Sequence, residues 1–199
     1  MLFISQPRRA TSRLALCLAA LALFVLAALP TAHAAPAVTY SKDGVSFDHP
    51  AEWKVTEDVV AQDGTRLRSI DIEGPDEAVV TLMFSPLLAS QDIEKFAATA
   101  ARNRENAARA NTAQQVRMGA STAAPIARQV AGKDNKGVSQ RFVVSLSGQD
   151  LPHEARFFKA TLGDTTVIVM TQVADENAKA VEPGFVMALG TLRYGGSKR

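Results

Sequence analysis

The chain has 199 residues, with 22 lysines and arginines against 20 aspartates and glutamates, three histidines and one cysteine. A near-neutral balance gives no electrostatic footprint for nucleic acid. A lone Cys17 excludes an intrachain disulfide framework and a cysteine metal set.

The first segment reads as a targeting signal. Arg8, Arg9 and Arg13 precede an apolar run from Leu14 to Leu29, and Ala32-His33-Ala34 supplies the small residues that a signal peptidase reads at −3 and −1. The alternative is a retained anchor, but this run falls short of the ~20 apolar residues of a comfortable span. Pro30 and the A-x-A site favour cleavage after Ala34. A lipoprotein reading of Cys17 fails because Leu16 is bulky and most of the apolar run follows the cysteine. Cleavage leaves 165 of the 199 residues, one domain by size, with 19 basic and 20 acidic groups once the three leader arginines are gone. The expected organisation is a cleaved signal peptide over 1–34, a lead-in over 35–43, a single domain over 44–193 and a tail over 194–199. The exported product is periplasmic or secreted and keeps no integral membrane segment.

The domain opens on Gly44-Val45-Ser46-Phe47-Asp48-His49-Pro50, where Val45 and Phe47 alternate with polar neighbours as in a strand with one buried face. Pro50 has no amide hydrogen for a ladder and ends the strand. Trp53, the only tryptophan, follows as the largest apolar group available to a core. Strands are expected over 54–61, over 68–73 with Ile70 and Ile72 inward, and over 78–84. Apolar groups on both faces make the last of these a central strand covered on two sides. Residues 90–110 carry the strongest helical signal, with Ser90 as N-cap and Ile93, Phe96, Ala97, Ala100 and Ala101 forming a buried stripe. Arg102, Glu105 and Arg109 line a solvated face. Residues 111–125 read as a loop. Strands over 126–131 and 138–146 flank a loop at 132–137, with Phe142, Val144 and Leu146 inward. Further strands cover 153–161 and 165–173. Pro183 suits the first turn of a closing helix that buries Phe185 and Leu189. Seven or eight strands on hairpin-length links, with one long helix between two meanders and another at the end, define an α+β fold. Its sheet is largely antiparallel.

The chemistry-bearing motifs are incomplete. His153-Glu154 begins like H-E-x-x-H, but Phe157 stands at the second histidine position and the surroundings alternate as a strand. His49 and His153 are the only histidines after residue 34, too few for most zinc catalytic sets. Gly119-Ala120-Ser121-Thr122-Ala123 lacks the second glycine of a nucleophile elbow. No glycine-rich phosphate cradle is present. These residues support no catalytic, cofactor-binding or metal set, and His49 beside a proline suits packing or capping.

The run from Gly44 to Pro50 with Trp53 resembles the opening signature of the PsbP-like superfamily, including its bacterial DcrB-type envelope members, with His49 where tyrosine is common. The order of a meander, a long helix, a second meander and a terminal helix extends the resemblance to roughly residues 40–193. It implies an α/β/α sandwich around a largely antiparallel sheet and non-catalytic roles. Plant members assist photosystem II and a nuclear relative binds the Ran GTPase. No set of functional residues carries over, because members bind unlike partners through unlike surfaces. The expected function is an exported, non-catalytic accessory or binding protein of the cell envelope, without cofactor, acting on an envelope protein or protein complex. The alternatives are a periplasmic carrier of a small ligand or metal, and a hydrolase with a dispersed site. A buried acid beside His49 or His153 would favour the hydrolase.

Cleavage after Ala34 is open to N-terminal sequencing of the protein purified from cells. The expected product starts at Ala35. A product starting before residue 25 would establish an anchored protein instead.

Overall fold

A computed structural model describes residues 36–110 and 116–195. The signal-peptidase residues Ala32 and Ala34 lie outside the described residues. Among the described residues, no helix is long and apolar enough to cross a membrane.

Eleven strands and two α-helices make up the described residues. Strands β1 (Ala37–Lys42) and β2 (Val45–Pro50) form a hairpin, and β3 (Lys54–Val60), β4 (Arg68–Glu73) and β5 (Val79–Phe84) form an antiparallel meander. A short 3-10 helix, Pro86–Ser90, leads to α1 (Ile93–Ala110). Then come β6 (Arg117–Met118), β7 (Thr122–Val130), β8 (Lys133–Leu146), β9 (Gln149–Leu162) and β10 (Thr165–Ala174). Helix α2 (Ala178–Thr191) and β11 (Arg193–Tyr194) close the chain. One sheet has the order β1-β2-β11; the other runs β3-β4-β5-β10-β9-β8-β6, with β7 also on β8. Every pairing is antiparallel.

The large sheet has two unlike faces. On its inner face Ile70, Ile72, Val80, Leu82, Phe158, Val167 and Val169 pack against Val45, Phe47, Val181, Phe185 and Leu189 of the small sheet and α2. On its outer face a smaller cluster of Val138, Phe142, Ala155 and Phe157 receives Ile93, Phe96, Ala97 and Ala100 of α1. The result is an α+β sandwich, α2 and the small sheet on one side and α1 on the other, as the spacing of apolar residues leads one to expect.

Trp53 fixes the inner layer. It is 3% exposed and meets Phe185 edge to face at 5.4 Å. A methyl group on Gly74, in the turn between β4 and β5, would fall 2.6 Å from the indole, and one on Gly184 of α2 would fall 2.3 Å from it. Both glycines are therefore present because the ring leaves no room for a side chain.

Several local expectations are corrected. Residues 35–43, read as a lead-in, carry β1, whose Tyr40 stacks on Phe47 at 4.9 Å. Asp92, rather than Ser90, caps α1 by accepting the Lys95 amide at 2.9 Å, because Ser90 still belongs to the 3-10 helix. The loop expected at 132–137 shrinks to Ala131-Gly132, both at positive φ, so β7 and β8 run on through polar residues. Strand β7 begins at Thr122, inside the expected 111–125 loop. Pro183 sits inside α2 rather than in its first turn. Leu146 is 42% exposed, because β8 extends to a hairpin tip past the α1 cluster. Strand β5 is central, yet Val79, Thr81 and Met83 are only half buried, since among the described residues no helix is stacked on that side.

Trp53→Ala should lower stability by ~3–5 kcal/mol in chemical unfolding of the purified protein, the range for large-to-small core changes. Gly184→Ala should destabilise as well, and Trp53→Leu should restore part of that loss by making room for the methyl. A loss below ~1 kcal/mol for Trp53→Ala would place the indole outside the core.

Candidate functional site

The two histidines are structural by their contacts. His49, buried on β2, has Nδ1 2.9 Å from the Pro50 carbonyl, and His153, buried on β9, has Nδ1 2.8 Å from the Leu151 carbonyl. A carbonyl only accepts, so each Nδ1 carries the proton and donates. His153 stacks on Phe142 at 5.6 Å, and the Arg104 guanidinium lies 4.4 Å over that ring from the α1 side. Glu154, next in sequence, points to the opposite face of the sheet, as alternation requires. Neither ring therefore has the carboxylate that orients a general base.

On the inner face Glu154 belongs to a network joining β7, β8, β9 and α2. Ser139 Oγ donates to Glu154 Oε1 at 2.5 Å, and Arg156 clasps Glu154 Oε2 through Nε at 2.9 Å and Nη2 at 2.6 Å. Arg156 also reaches Glu182 of α2 at 2.9 Å, and Arg128 of β7 pairs with the same carboxylate. Burial works against ionisation of Glu154, but Arg156 and Ser139 outweigh it and hold its carboxyl below the ordinary value. The alternation of charges ties the closing helix to the sheet. It leaves no titrating group poised for reaction.

A second network joins the two sheets. Asp58 of β3 accepts Arg68 Nε at 2.8 Å and Nη2 at 3.1 Å, and also Tyr40 Oη at 2.7 Å and Lys42 Nζ at 2.6 Å from β1. Arg68 further donates to the Lys42 and Asp43 carbonyls. The side chains of Asp58 and Arg68 are 11% and 10% exposed. Neither charge was singled out by the sequence; the signal available was Asp58 and Arg68 alternating in register with inward apolar residues.

Beside this network the sandwich opens into a cleft of about 450 Å³, lined by Asp43, Val60, Arg66, Arg68, Tyr194 and neighbouring residues. Tyr194 lies stacked on the buried Phe84 at 5.8 Å. Arg66 is exposed and makes no ion pair among the described residues. Val60 is 51% exposed at the mouth. The cleft joins an apolar rim to basic and acidic groups, Arg66 and Arg68 with Asp43 and Asp164.

The outer face of the large sheet holds the other open surface. Helix α1 lies over β6, β8 and β9, and the 3-10 helix lies against β10. Over β4 and β5, outward-facing Ser69, Asp71, Val79, Thr81 and Met83 remain half exposed.

The Asp58 network gives a pH signature. Arg68 chiefly, then Lys42 and Tyr40, hold the Asp58 carboxyl well below the usual carboxylate range against its burial. Its stabilisation is therefore complete above the unfolded carboxylate value of ~3.9 and is lost as pH falls below it. Burial and the neighbouring Asp58 push the Tyr40 phenol up to about 12, so its contribution persists below ~10 and is lost as pH rises from there. Asp58→Asn should cost about 3–5 kcal/mol at neutral pH by leaving Arg68 buried and unpaired. In unfolding experiments across pH, the gap to wild type should close toward pH 2, and Tyr40→Phe should flatten the alkaline limb. A gap constant with pH would show that Asp58 titrates as an ordinary carboxylate.

No family model matches the sequence, and no curated protein matches it. Among solved structures the chain is similar to cyanobacterial PsbP (CyanoP) from Synechocystis sp. PCC 6803, at 13% identity and a TM-score of 0.45, over 84% of this chain and 98% of that one. It is similar to LpqN of Mycobacterium tuberculosis, described as involved in cell envelope biogenesis, at 9% identity and a TM-score of 0.40, over 79% and 88% of the two chains. A Pseudomonas aeruginosa protein described as of unknown function and a putative regulator shows 15% identity and a TM-score of 0.35, over 81% and 99%. The α+β architecture rests on the strand pairing itself.

Proposed function

We propose that this chain is an exported, non-catalytic accessory protein of the cell envelope that works by binding an envelope protein or protein complex. The observation that carries the reading is the unequal covering of the central sheet. One face is sealed by α2 and the small sheet, while half of the other lies open over β4 and β5. An antiparallel sheet can leave one face to water, and here that half-face carries Val79 and Met83, partly exposed among polar residues, so it is a surface that a partner can cover. The leader over residues 1–34 supports export, and the PsbP-like resemblance supports an accessory role.

Catalysis needs a titrating group with an oriented partner. His49 and His153 are the best candidates by residue type, and each spends Nδ1 on a backbone carbonyl. The cleft beside Arg68 favours a second reading, a periplasmic carrier of a small ligand, because Arg66 and Tyr194 there present a cation and an aromatic ring to a space of about 450 Å³.

Complementation of a deletion strain separates these readings. The double variant His49→Ala, His153→Ala, shown by circular dichroism to be folded, should restore the phenotype as wild type does. A folded double variant without function would overturn the non-catalytic reading and bring acid–base or metal chemistry forward. Loss of function in Arg66→Ala alone, with the double-histidine variant active, would favour the carrier.

A further inference from the structure

The open half of the outer face has a definite chemistry. Reading across the strands from β3 to β10, Lys54, Glu73, Val79 and Gln172 form one row, Glu57, Asp71, Thr81 and Met170 the next, and Val59, Ser69, Met83 and Ile168 the third. Alternation places all of these on the outer face, since Ile70, Ile72, Val80 and Leu82 of the same strands fill the inner core; on β10, where the 3-10 helix lies, Ile168 is fully buried and Met170 packs partly against the α1 cluster. A band of Val79, Met83 and Met170 is thus flanked on the β3 side by three carboxylates, Glu57, Asp71 and Glu73, against one ammonium, Lys54. Lys159, on the same face of β9, directs its ammonium toward the 3-10 helix rather than toward these acids. Its Nζ is held by the Ala89 and Gln91 carbonyls at 3.3 and 2.7 Å. Asp71 Oδ1 is buried and accepts no hydrogen bond among the described residues.

The wall of this surface is α1. Glu94 and Ala98 of that helix turn toward β7, so Phe96, Asn103 and Ala107 fall on the opposite flank, which borders the open face. That flank is uncharged, with only Phe96 bulky and itself turned partly onto Phe157, and can border a second helix at the usual 8–10 Å interaxial distance.

We propose that the outer face of β3, β4 and β5, bordered by Met170 of β10, is the docking surface for a cationic amphipathic helix of a partner protein, lying alongside α1 and completing the helical layer. The inference rests on the accessory-protein reading and names the chemistry of its partner. Backbone accounting selects a helix. The strands beneath already satisfy one another's amides and carbonyls, so a sheet face offers an incoming segment no ladder, and only a segment that bonds internally can lie there dry. Charge complementarity selects the sign. Three carboxylates beside an apolar band repel an acidic helix, and a lysine or arginine at its border offers them a counter-ion. Such a helix sets its apolar stripe on Val79, Met83 and Met170 and its basic edge toward β3.

Site-specific photocrosslinking in intact cells tests this. Benzoylphenylalanine is placed on the open face at Thr81 and, as a second variant at a position 48% exposed, at Val59. Arg66 in the cleft and Val186 on α2 serve as comparison positions. Captured segments are identified by mass spectrometry. The expected result is an adduct from Thr81 or Val59 to a helix-forming segment with an apolar stripe edged by lysine or arginine. Its yield should fall about tenfold when Asp71→Asn and Glu73→Gln are combined. No adduct from either open-face position, an adduct to a segment without basic residues, an adduct to a second copy of this chain, or a yield indifferent to the two acid substitutions would each overturn the proposal. Adducts confined to Arg66 would overturn it while leaving the accessory reading standing. A folded but inactive double-histidine variant would instead overturn the accessory reading itself.

Discussion

The indole of Trp53 sets the geometry of the inner layer. It sits between Gly74 at the β4–β5 turn and Gly184 of α2, with Phe185 edge-on at 5.4 Å. A ring in that slot fixes how far the closing helix stands from the sheet. The same helix then fixes its neighbours. Thr191 Oγ1 accepts the Asp48 amide of β2 at 2.8 Å, and the Leu189 carbonyl accepts the Ala131 amide of the β7–β8 turn at 2.8 Å. Three parts of the chain far apart in sequence are thereby held to one helix, and with no disulfide available, packing has to do this.

Charge reinforces the arrangement at two places. Arg68 and Asp58 join the small sheet to the edge of the large one, and Glu154, Arg156, Glu182 and Arg128 join α2 to the middle strands. Both networks lie on the inner side of the large sheet, where a lone charge would be costly and a satisfied one specifies a single alignment. The outer face has no counterpart to them. Its half under α1 is closed by alanines and phenylalanines, and its other half carries acids that pair with nothing among the described residues.

That asymmetry bears on function more than any single residue does. Inside the sandwich Asp58 and Arg68, and Glu154 and Arg156, neutralise one another, and the two histidines are tied to carbonyls. Recognition needs a surface that does not close on itself. The open half-face and the end cleft are both of that kind. They differ in shape, the face a broad sheet surface and the cleft a space of about 450 Å³.

Local chemistry alone dictated much of the architecture. Period-2 alternation in 45–47, 68–73 and 165–173 marks strands whether or not anything packs on them, and the alanine-rich stripe of 93–101 marks a helix face, because both follow from backbone geometry. The α+β class and the burial of Trp53, Ile70, Phe185 and Leu189 were legible for that reason. Other features needed the folded chain. Strand β1 is exposed along most of its length and becomes a strand only by pairing with β2, and β7 and β8 pair on through the polar residues next to a two-residue turn. The sites were hidden for the same reason. Asp58 and Arg68 look like ordinary surface charges until β3 and β4 are aligned beneath β1, and Asp71 and Thr81 look like the outside of any strand. Which strand lies under a helix and which stays bare is decided by where α1 comes to rest over the sheet, and that is a property of packing between distant segments rather than of any stretch of sequence.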